Sequence, residues 1–171
     1  LVTADNGMPF PYAKANVQEF GTHVPLAIRM PKGVKAKEVY DPVSMIDLAP
    51  TLMDLVGVPQ AMTTRGKSLL PVLTQKEHPP HRNYVLTGRE RHTHARPDNL
   101  GYPARAIRTQ SFLYVHHFMP DRWPQGNPVP KNPENDKRSI VKGFKDLYPG
   151  YHDVDPSPSK DVIMGIEDSF Y

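Results

Sequence analysis

Short apolar runs, each followed by a polar or proline-bearing loop, make up the first part of the chain. Residues 1–4 (Leu-Val-Thr-Ala) have the composition of the end of a buried strand, and the polar Asp5-Asn6-Gly7 follows directly. Residues 24–30 are a second β-type run, in which Pro25 favours an edge position or the first residues of the strand. A chain that begins inside a strand–loop unit is expected to be a portion of a longer polypeptide, which we call the parent polypeptide.

A helical pattern follows in the middle of the first half. Pro50 is suited to the first position of a helix, and Gly57 is suited to ending one. The predicted helix, residues 50–56, carries an apolar face made of Leu48, Leu52, Leu55 and Val56. We therefore predict a core helix here.

The sequence pattern changes after a polar, proline-bearing connection at residues 74–81, which we take as a domain boundary. Beyond it, the pattern predicts strands near residues 84–87 and an antiparallel hairpin that pairs residues 105–109 with 113–117. Residues 155–159 are expected to cap a final helix near residues 160–167. No internal repeat is visible.

Composition narrows the class of protein. The 171 residues suffice for one domain with a core, or for a small domain plus part of another. Only 38% of residues are hydrophobic and 20 are proline, which predicts short elements and many loops. No run approaches the roughly 20 apolar residues that a membrane span requires. With no cysteine, the chain holds no disulfide, no thiolate zinc site and no cysteine nucleophile.

Two oxygen-bearing side chains and one cation mark the first candidate site. Asp5 and Asn6 offer hard oxygen donors at the end of a strand, where α/β proteins place ligands and where calcium or magnesium can bind. The alternative is an ordinary turn before Gly7. Lys14 follows in a proline-constrained segment, so its ammonium can meet an anion; a solvated lysine is the simpler interpretation.

A second candidate is the cationic loop at residues 87–96, with Arg89, Arg91 and His92 among its basic residues. Arginine matches the geometry of sulfate, phosphate and carboxylate groups, and histidine can donate to the same anions. The alternative is a solvated charged loop. The net charge of +3 is compatible with an anionic partner, but the other basic residues are scattered and form no nucleic-acid-binding motif. Arg105, expected to face opposite to Ala106 on a strand, either lines a site or pairs with a surface acid.

Residues 3–7 (Thr-Ala-Asp-Asn-Gly) resemble the Thr-Ser-Asp-Asn-Gly segment of type I sulfatases, members of the alkaline-phosphatase-like superfamily. Further landmarks follow in the same order: Val-Pro-Leu at residues 24–26, Ile-Asp-Leu-Ala-Pro-Thr-Leu at 46–52 and Gly-Lys-Ser-Leu-Leu-Pro at 66–71. Residues 5–11 (Asp-Asn-Gly-Met-Pro-Phe-Pro), together with residues 102–105 (Tyr-Pro-Ala-Arg), are most similar to the N-sulfoglucosamine sulfohydrolase (heparan N-sulfatase) branch. The resemblance covers most of residues 1–125.

This resemblance implies a set of roles. Asp5 and Asn6 match calcium ligands of the family, and Lys14 matches the basic residue that contacts the sulfate, which can be Arg in this branch. The family nucleophile, a formylglycine, lies upstream and outside this chain, as does the other half of the calcium site. Charge and position then place Arg89, Arg91, His92 and Arg105 where other anionic groups of a sulfated sugar arrive.

The same resemblance implies an α/β fold of the alkaline-phosphatase-like type. Residues 1–75 would end the large α/β domain, and residues 76–171 would form a C-terminal subdomain with an antiparallel sheet. The partners implied are a sulfated sugar and the missing N-terminal half, without which the piece would expose an apolar face and be inactive. Sulfatases of this branch are exported, which implies a periplasmic, extracellular or lysosomal location.

Two other functions stay open. A phosphoryl-ester hydrolase of the same superfamily would use a pair of transition metals and a His beside the Asp, and Asn6 argues against it. A non-catalytic module that binds acidic glycans through residues 89–96 is compatible with this sequence, because the nucleophile lies outside it.

Overall fold

The computed structural model describes residues 1–31, 33, 35–59, 63–92, 96–123, 126, 140–141, 144–145, 151 and 153–168. Its elements follow in the order β1 (Val2–Thr3), α1 (Glu19–Thr22), β2 (Leu26–Ala27), a 3₁₀ turn (Met45–Asp47), α2 (Leu48–Val56), α3 (Leu70–Thr74), β3 (Tyr84–Arg89), a 3₁₀ turn (Pro97–Asn99), β4 (Ala104–Thr109), β5 (Leu113–His117), β6 (Ile140–Val141), β7 (Phe144–Lys145) and α4 (Pro158–Asp168).

The strands form small sheets. β1 pairs with β2, β3 to β5 form a three-stranded sheet in that order, and β6 pairs antiparallel with β7. The predicted hairpin is confirmed: β4 and β5 are joined by residues 110–112, and the Thr109 amide donates to the Phe112 carbonyl at 2.8 Å. The β-type run at residues 24–30 yields only a two-residue strand. Within the part of the chain that is described, no helix is long and apolar enough to cross a membrane.

The chain forms two compact units that do not separate at a single point in the sequence. The first unit comprises residues 1–2, 26–86 and 107–114, and the second comprises residues 3–25, 87–106 and 115–171. The assignment of residues 1–75 and 76–171 to two domains of the parent polypeptide stays a prediction.

Helix α2 of the first unit ends as expected but buries a different face. Gly57 adopts the left-handed conformation (φ 68°) that ends a helix, and the Val58 amide closes the turn onto the Met53 carbonyl at 3.0 Å. The expectation of a core helix is wrong for this structure, because Leu52, Leu55 and Val56 are 55%, 40% and 73% exposed. The buried residues of the helix are Pro50 and Thr51.

Thr51 and Asp47 explain which face is buried. The Thr51 hydroxyl donates to the Asp47 carbonyl at 2.5 Å and accepts from the Leu69 amide at 2.8 Å. The Asp47 carboxylate accepts from the Lys67 amide at 2.7 Å. These bonds join the segments at residues 46–52 and 66–71, and they leave the opposite face of α2 uncovered. At Gly66 a Cβ would lie 2.1 Å from the Ile46 carbonyl oxygen, so only glycine allows this approach.

Asp47 is also the centre of a larger polar cluster in the first unit. Its carboxylate is fully buried and accepts from Arg82 through Nε (2.9 Å) and Nη2, from the Ser44 amide (3.0 Å) and from the His81 ring (3.0 Å). Burial alone would raise the pKa of Asp47, but the hydrogen bonds from Arg82, Lys67 and the other donors outweigh it and hold that pKa far below its ordinary range.

The second unit has its own apolar core, which supports the loop after β1. Its buried apolar residues are Ala13, Val17, Tyr102, Ala104, Ala106, Val154 and Met164. Gly7 and Gly21 allow the loop at residues 7–16 to lie against α1, because a Cβ on Gly7 would lie 2.1 Å from the Phe20 carbonyl oxygen. Of the residues predicted for the first candidate site, Lys14 therefore lies on a packed segment.

Candidate functional site

Asp5 and Asn6 follow β1 after one intervening residue, Ala4, and are exposed. The Asn6 side-chain amide donates to the Gly7 carbonyl at 2.8 Å, which leaves its oxygen as the atom that can bind a cation. Asp5 makes no hydrogen bond or ion pair with any other described residue. Two adjacent hard oxygen donors without a competing protein cation suit calcium as part of its ligand shell.

This pair is not a complete metal site. Calcium takes about six to eight oxygen ligands. Among the residues that the structure describes, no three His, Cys, Asp or Glu side chains come together to hold a metal. By themselves, Asp5 and Asn6 therefore supply at most part of the ligand shell of a calcium ion.

Lys14 sits in a tightly turned loop of the second unit. Its amide donates to the Met8 carbonyl at 2.9 Å, and Tyr12 and Ala15 on either side have positive φ angles of 60° and 65°. The Lys14 ammonium lies 2.7 Å from the Asp155 carboxylate, and both side chains are about one-third exposed (33% and 37%). The turns thus fix the backbone, and Asp155 fixes the end of the side chain.

Arg89 lies beside the same loop, at the end of β3. Its guanidinium donates to the carbonyl of Ala15, the residue next to Lys14. Burial lowers the pKa of Arg89; the charge of Asp153 opposes that shift, and the charge of Arg96 adds to it. The structure therefore brings two of the predicted site residues, Lys14 and Arg89, to one loop.

A buried ion pair adjoins Arg89 in the second unit. The Arg96 Nη2 lies 3.1 Å from the Asp153 carboxylate, and both side chains are almost fully buried. Arg96 also donates through Nε and Nη2 to the Trp123 carbonyl at 3.1 and 3.0 Å, and its guanidinium lies 5.5 Å from the centre of the Tyr102 ring. The buried positive charge is thus held by a carboxylate, a carbonyl and an aromatic face.

The other predicted substrate-binding residues are more dispersed. Arg91 is exposed. His92 is half-buried, and its Nδ1 is shielded from solvent without a hydrogen-bond partner in the described part of the chain. The neighbouring histidine at position 94 lies outside the described residues.

Arg105 lies away from Arg89. It is exposed, forms an ion pair with Glu90 and lies 5.7 Å from the centre of the Phe118 ring. Its side chain passes over Gly88. Gly88 and Arg89 are adjacent on β3 and therefore point to opposite faces of the sheet. Since Arg105 covers Gly88, Arg105 and Arg89 lie on opposite faces. The expectation that Arg105 faces opposite to the buried Ala106 is confirmed.

Sequence reasoning included Arg96 only as one basic residue of the loop at residues 87–96, and it missed the pairing of two acids, Asp153 with Arg96 and Asp155 with Lys14. The expectation that residues 155–159 cap the last helix is confirmed at Ser157, whose hydroxyl accepts from the Lys160 amide at 3.2 Å, whereas Asp155 pairs with Lys14. In the sequence, the only signal is the Asp-Val-Asp pattern at residues 153–155 of a basic chain. This pattern does not indicate which cations the two carboxylates pair with.

Comparisons with known proteins give the family. Residues 11–127 match the family described as N-sulphoglucosamine sulphohydrolase, C-terminal. Human N-sulphoglucosamine sulphohydrolase is 31% identical over an alignment of 131 residues that covers 69% of this chain and 24% of that protein. An ulvan-active sulfatase from Formosa agariphila is 30% identical over 120 residues, 69% of this chain and 18% of that protein.

A third relative matches over a longer stretch. An N-acetylglucosamine-6-O-sulfatase from Bacteroides thetaiotaomicron is 30% identical over an alignment of 161 residues that covers 82% of this chain and 27% of that protein. The chain spans about a quarter or less of the length of these relatives. No solved structure matches it significantly. The family match and the sulfatase relatives agree, and the chain therefore belongs to the sulfatases, in the family described as N-sulphoglucosamine sulphohydrolase, C-terminal.

Proposed function

We propose that the parent polypeptide is a sulfatase that removes a sulfate group from a sugar, and that this chain supplies part of its calcium site and part of its anion-binding surface. One observation carries the proposal: in a chain of the sulfatase family, Asp5 and Asn6 present two exposed oxygen ligands shortly after a strand. Residues 5 and 6 precede the matched residues 11–127, so their role depends on the sequence resemblance and on this geometry.

The chain's own residues would act on the substrate by charge and position. Asp5 and Asn6 would hold calcium, and the bound ion would neutralise the charge of the sulfate. The Lys14 ammonium has three N–H donors, of which Asp155 takes one, so the others can donate to sulfate oxygens. Arg89, fixed on the Ala15 carbonyl, would add positive charge beside that position. The nucleophile, a formylglycine in this proposal, would lie outside the chain.

The substrate proposed is a sulfated glucosamine of a heparan-type glycan, with the sulfate on nitrogen. The family description and the human relative support N-linkage. A second candidate is an O-sulfated glucosamine, which is supported by the Bacteroides relative, a 6-O-sulfatase that matches 82% of the chain. The proposal also includes an alkaline-phosphatase-like fold for the parent polypeptide, its export from the cytoplasm, and the inactivity of this chain by itself.

A substrate panel tests the function. The parent polypeptide should release inorganic sulfate from an N-sulfated glucosamine disaccharide faster than from a 6-O-sulfated one, and it should release little phosphate from an aryl phosphate. Faster release from the 6-O-sulfated sugar would select the second candidate. Phosphate release alone would indicate a phosphoryl-ester hydrolase, and binding of the disaccharide without any hydrolysis would indicate a glycan-binding module.

Arg91 and His92 provide a test of sugar recognition. Replacing both by Ala in the parent polypeptide should raise KM for the disaccharide about tenfold, because the exposed Arg91 can donate charge-assisted hydrogen bonds to an anionic sugar and the half-buried His92 has a ring nitrogen with no partner among the described residues. The KM for a small aryl sulfate, which lacks those sugar groups, should change little. An equal loss on both substrates would contradict a role in sugar binding and indicate a structural or catalytic one.

A further inference from the structure

An acidic segment near the C-terminal end of the described chain, Asp153-Val154-Asp155, contacts the cations of the candidate site. Asp155 pairs with Lys14 at 2.7 Å, and Asp153 pairs with Arg96 at 3.1 Å. The charge of Asp153 also acts on Arg89. This segment lies beyond the matched residues 11–127, so the family match says nothing about it.

The segment is firmly held. Asp153 and Val154 are buried, and the Val154 amide donates to the Tyr151 carbonyl at 3.0 Å. The fully buried Lys160 donates through its ammonium to the Val154 carbonyl at 3.2 Å. The amide and the carbonyl of Val154 are thus both hydrogen-bonded, and they hold the backbone that carries the Asp153 and Asp155 side chains.

Lysine is the residue for which such a fixed partner matters most. Its ammonium sits on a flexible four-carbon stem, so an unpaired Lys14 would sample many positions. Asp155 is partly exposed and therefore free of the cost of complete burial. It can hold the ammonium in one place while the remaining N–H groups stay available to an incoming anion.

We propose that the Asp153-Val154-Asp155 segment is a positioning element, in which Asp155 holds the Lys14 ammonium for the binding of a sulfate group and the buried Asp153–Arg96 pair anchors the segment. The inference rests on the proposed function, since it needs Lys14 to meet the sulfate. Asp155 is a positioning residue: it acts on the substrate through Lys14. In a different arrangement, Asp155 only neutralises Lys14 and must be displaced by the substrate. Removing the Asp155 carboxylate would then strengthen sulfate binding, whereas the positioning role predicts weaker binding.

Kinetics of the parent polypeptide separate these arrangements. Asp155→Asn should raise KM for the N-sulfated disaccharide, and the inhibition constant for inorganic sulfate, by about five- to tenfold. Asp155→Glu should recover part of the loss. The melting temperature should stay near that of the wild type. Asp161→Asn is the matched control, because it removes a nearby carboxylate of α4 that has no hydrogen bond or ion pair with the described residues, and it should leave KM unchanged.

A double substitution tests whether Asp155 acts through Lys14. Asp155→Asn should have no further effect on KM in a Lys14→Ala background. Tighter sulfate inhibition in Asp155→Asn, or additive effects of the two substitutions, would overturn the positioning role. If Lys14→Ala impairs binding while Asp155→Asn does not, the positioning role fails alone. If Lys14→Ala leaves both constants unchanged, the proposed sulfate contact fails as well.

Discussion

Replacing Asp47 by Asn is expected to lower the free energy of unfolding by about 3–5 kcal/mol. The Asp47 carboxylate is fully buried and accepts from the amides of Ser44 and Lys67 and from the side chains of His81 and Arg82. An amide keeps only one acceptor oxygen and turns N–H donors toward groups that themselves donate. The substitution also leaves the Arg82 charge without its partner.

Denaturant unfolding of the parent polypeptide measures this loss. Asp54→Asn is the control on the same helix, because Asp54 is exposed and its side chain makes no hydrogen bond or ion pair in the described structure. It should change the free energy of unfolding by less than about 0.5 kcal/mol. Equal losses for the two variants would show that Asp47 is not the centre of this cluster.

The stabilisation by Asp47 should depend on pH in one direction. The pKa of Asp47 is lowered on folding, since its hydrogen bonds outweigh the effect of burial. A carboxyl group of this kind stabilises the folded state above its unfolded pKa of about 3.9, and the contribution is lost as the pH falls toward the folded value. The stability difference between wild type and Asp47→Asn should thus be constant at neutral pH and shrink below about pH 4.

The sequence predicted local features of the fold well. Gly57 ends α2 because a left-handed residue is needed there, and the β4–β5 hairpin follows from two strand-like runs with a short polar link. Which face of α2 is buried was not predictable from its hydrophobic pattern. Its leucines form the more apolar face, yet the buried face is the one where Thr51 binds Leu69 and the backbone of Asp47. Polar bonds between distant segments decided that orientation.

The candidate site was predictable to a similar extent. Asp5, Asn6, Lys14 and Arg89 stand out by residue type and by resemblance, and the structure places Lys14 and Arg89 at one loop. Asp155 could not be assigned to Lys14, because 141 positions separate them and no local pattern encodes such a pair.

Loss of the proposed calcium ligands is the second large effect that we expect. Asp5→Ala or Asn6→Ala should lower the rate of sulfate release by the parent polypeptide about 100-fold or more, because each removes an oxygen ligand from a site that neutralises the sulfate. Both side chains are exposed, so neither substitution removes packing or changes the melting temperature much. Asp121→Ala, which removes another exposed carboxylate of the second unit, should retain full activity.

The metal content of these variants tests the central claim most directly. Elemental analysis of the parent polypeptide, purified in calcium and freed of excess ion, should find about one calcium ion in the wild type and in Asp121→Ala. Asp5→Ala and Asn6→Ala should hold clearly less and regain calcium only when its concentration is raised. Unchanged calcium content in both variants would contradict the assignment of these residues to a metal site.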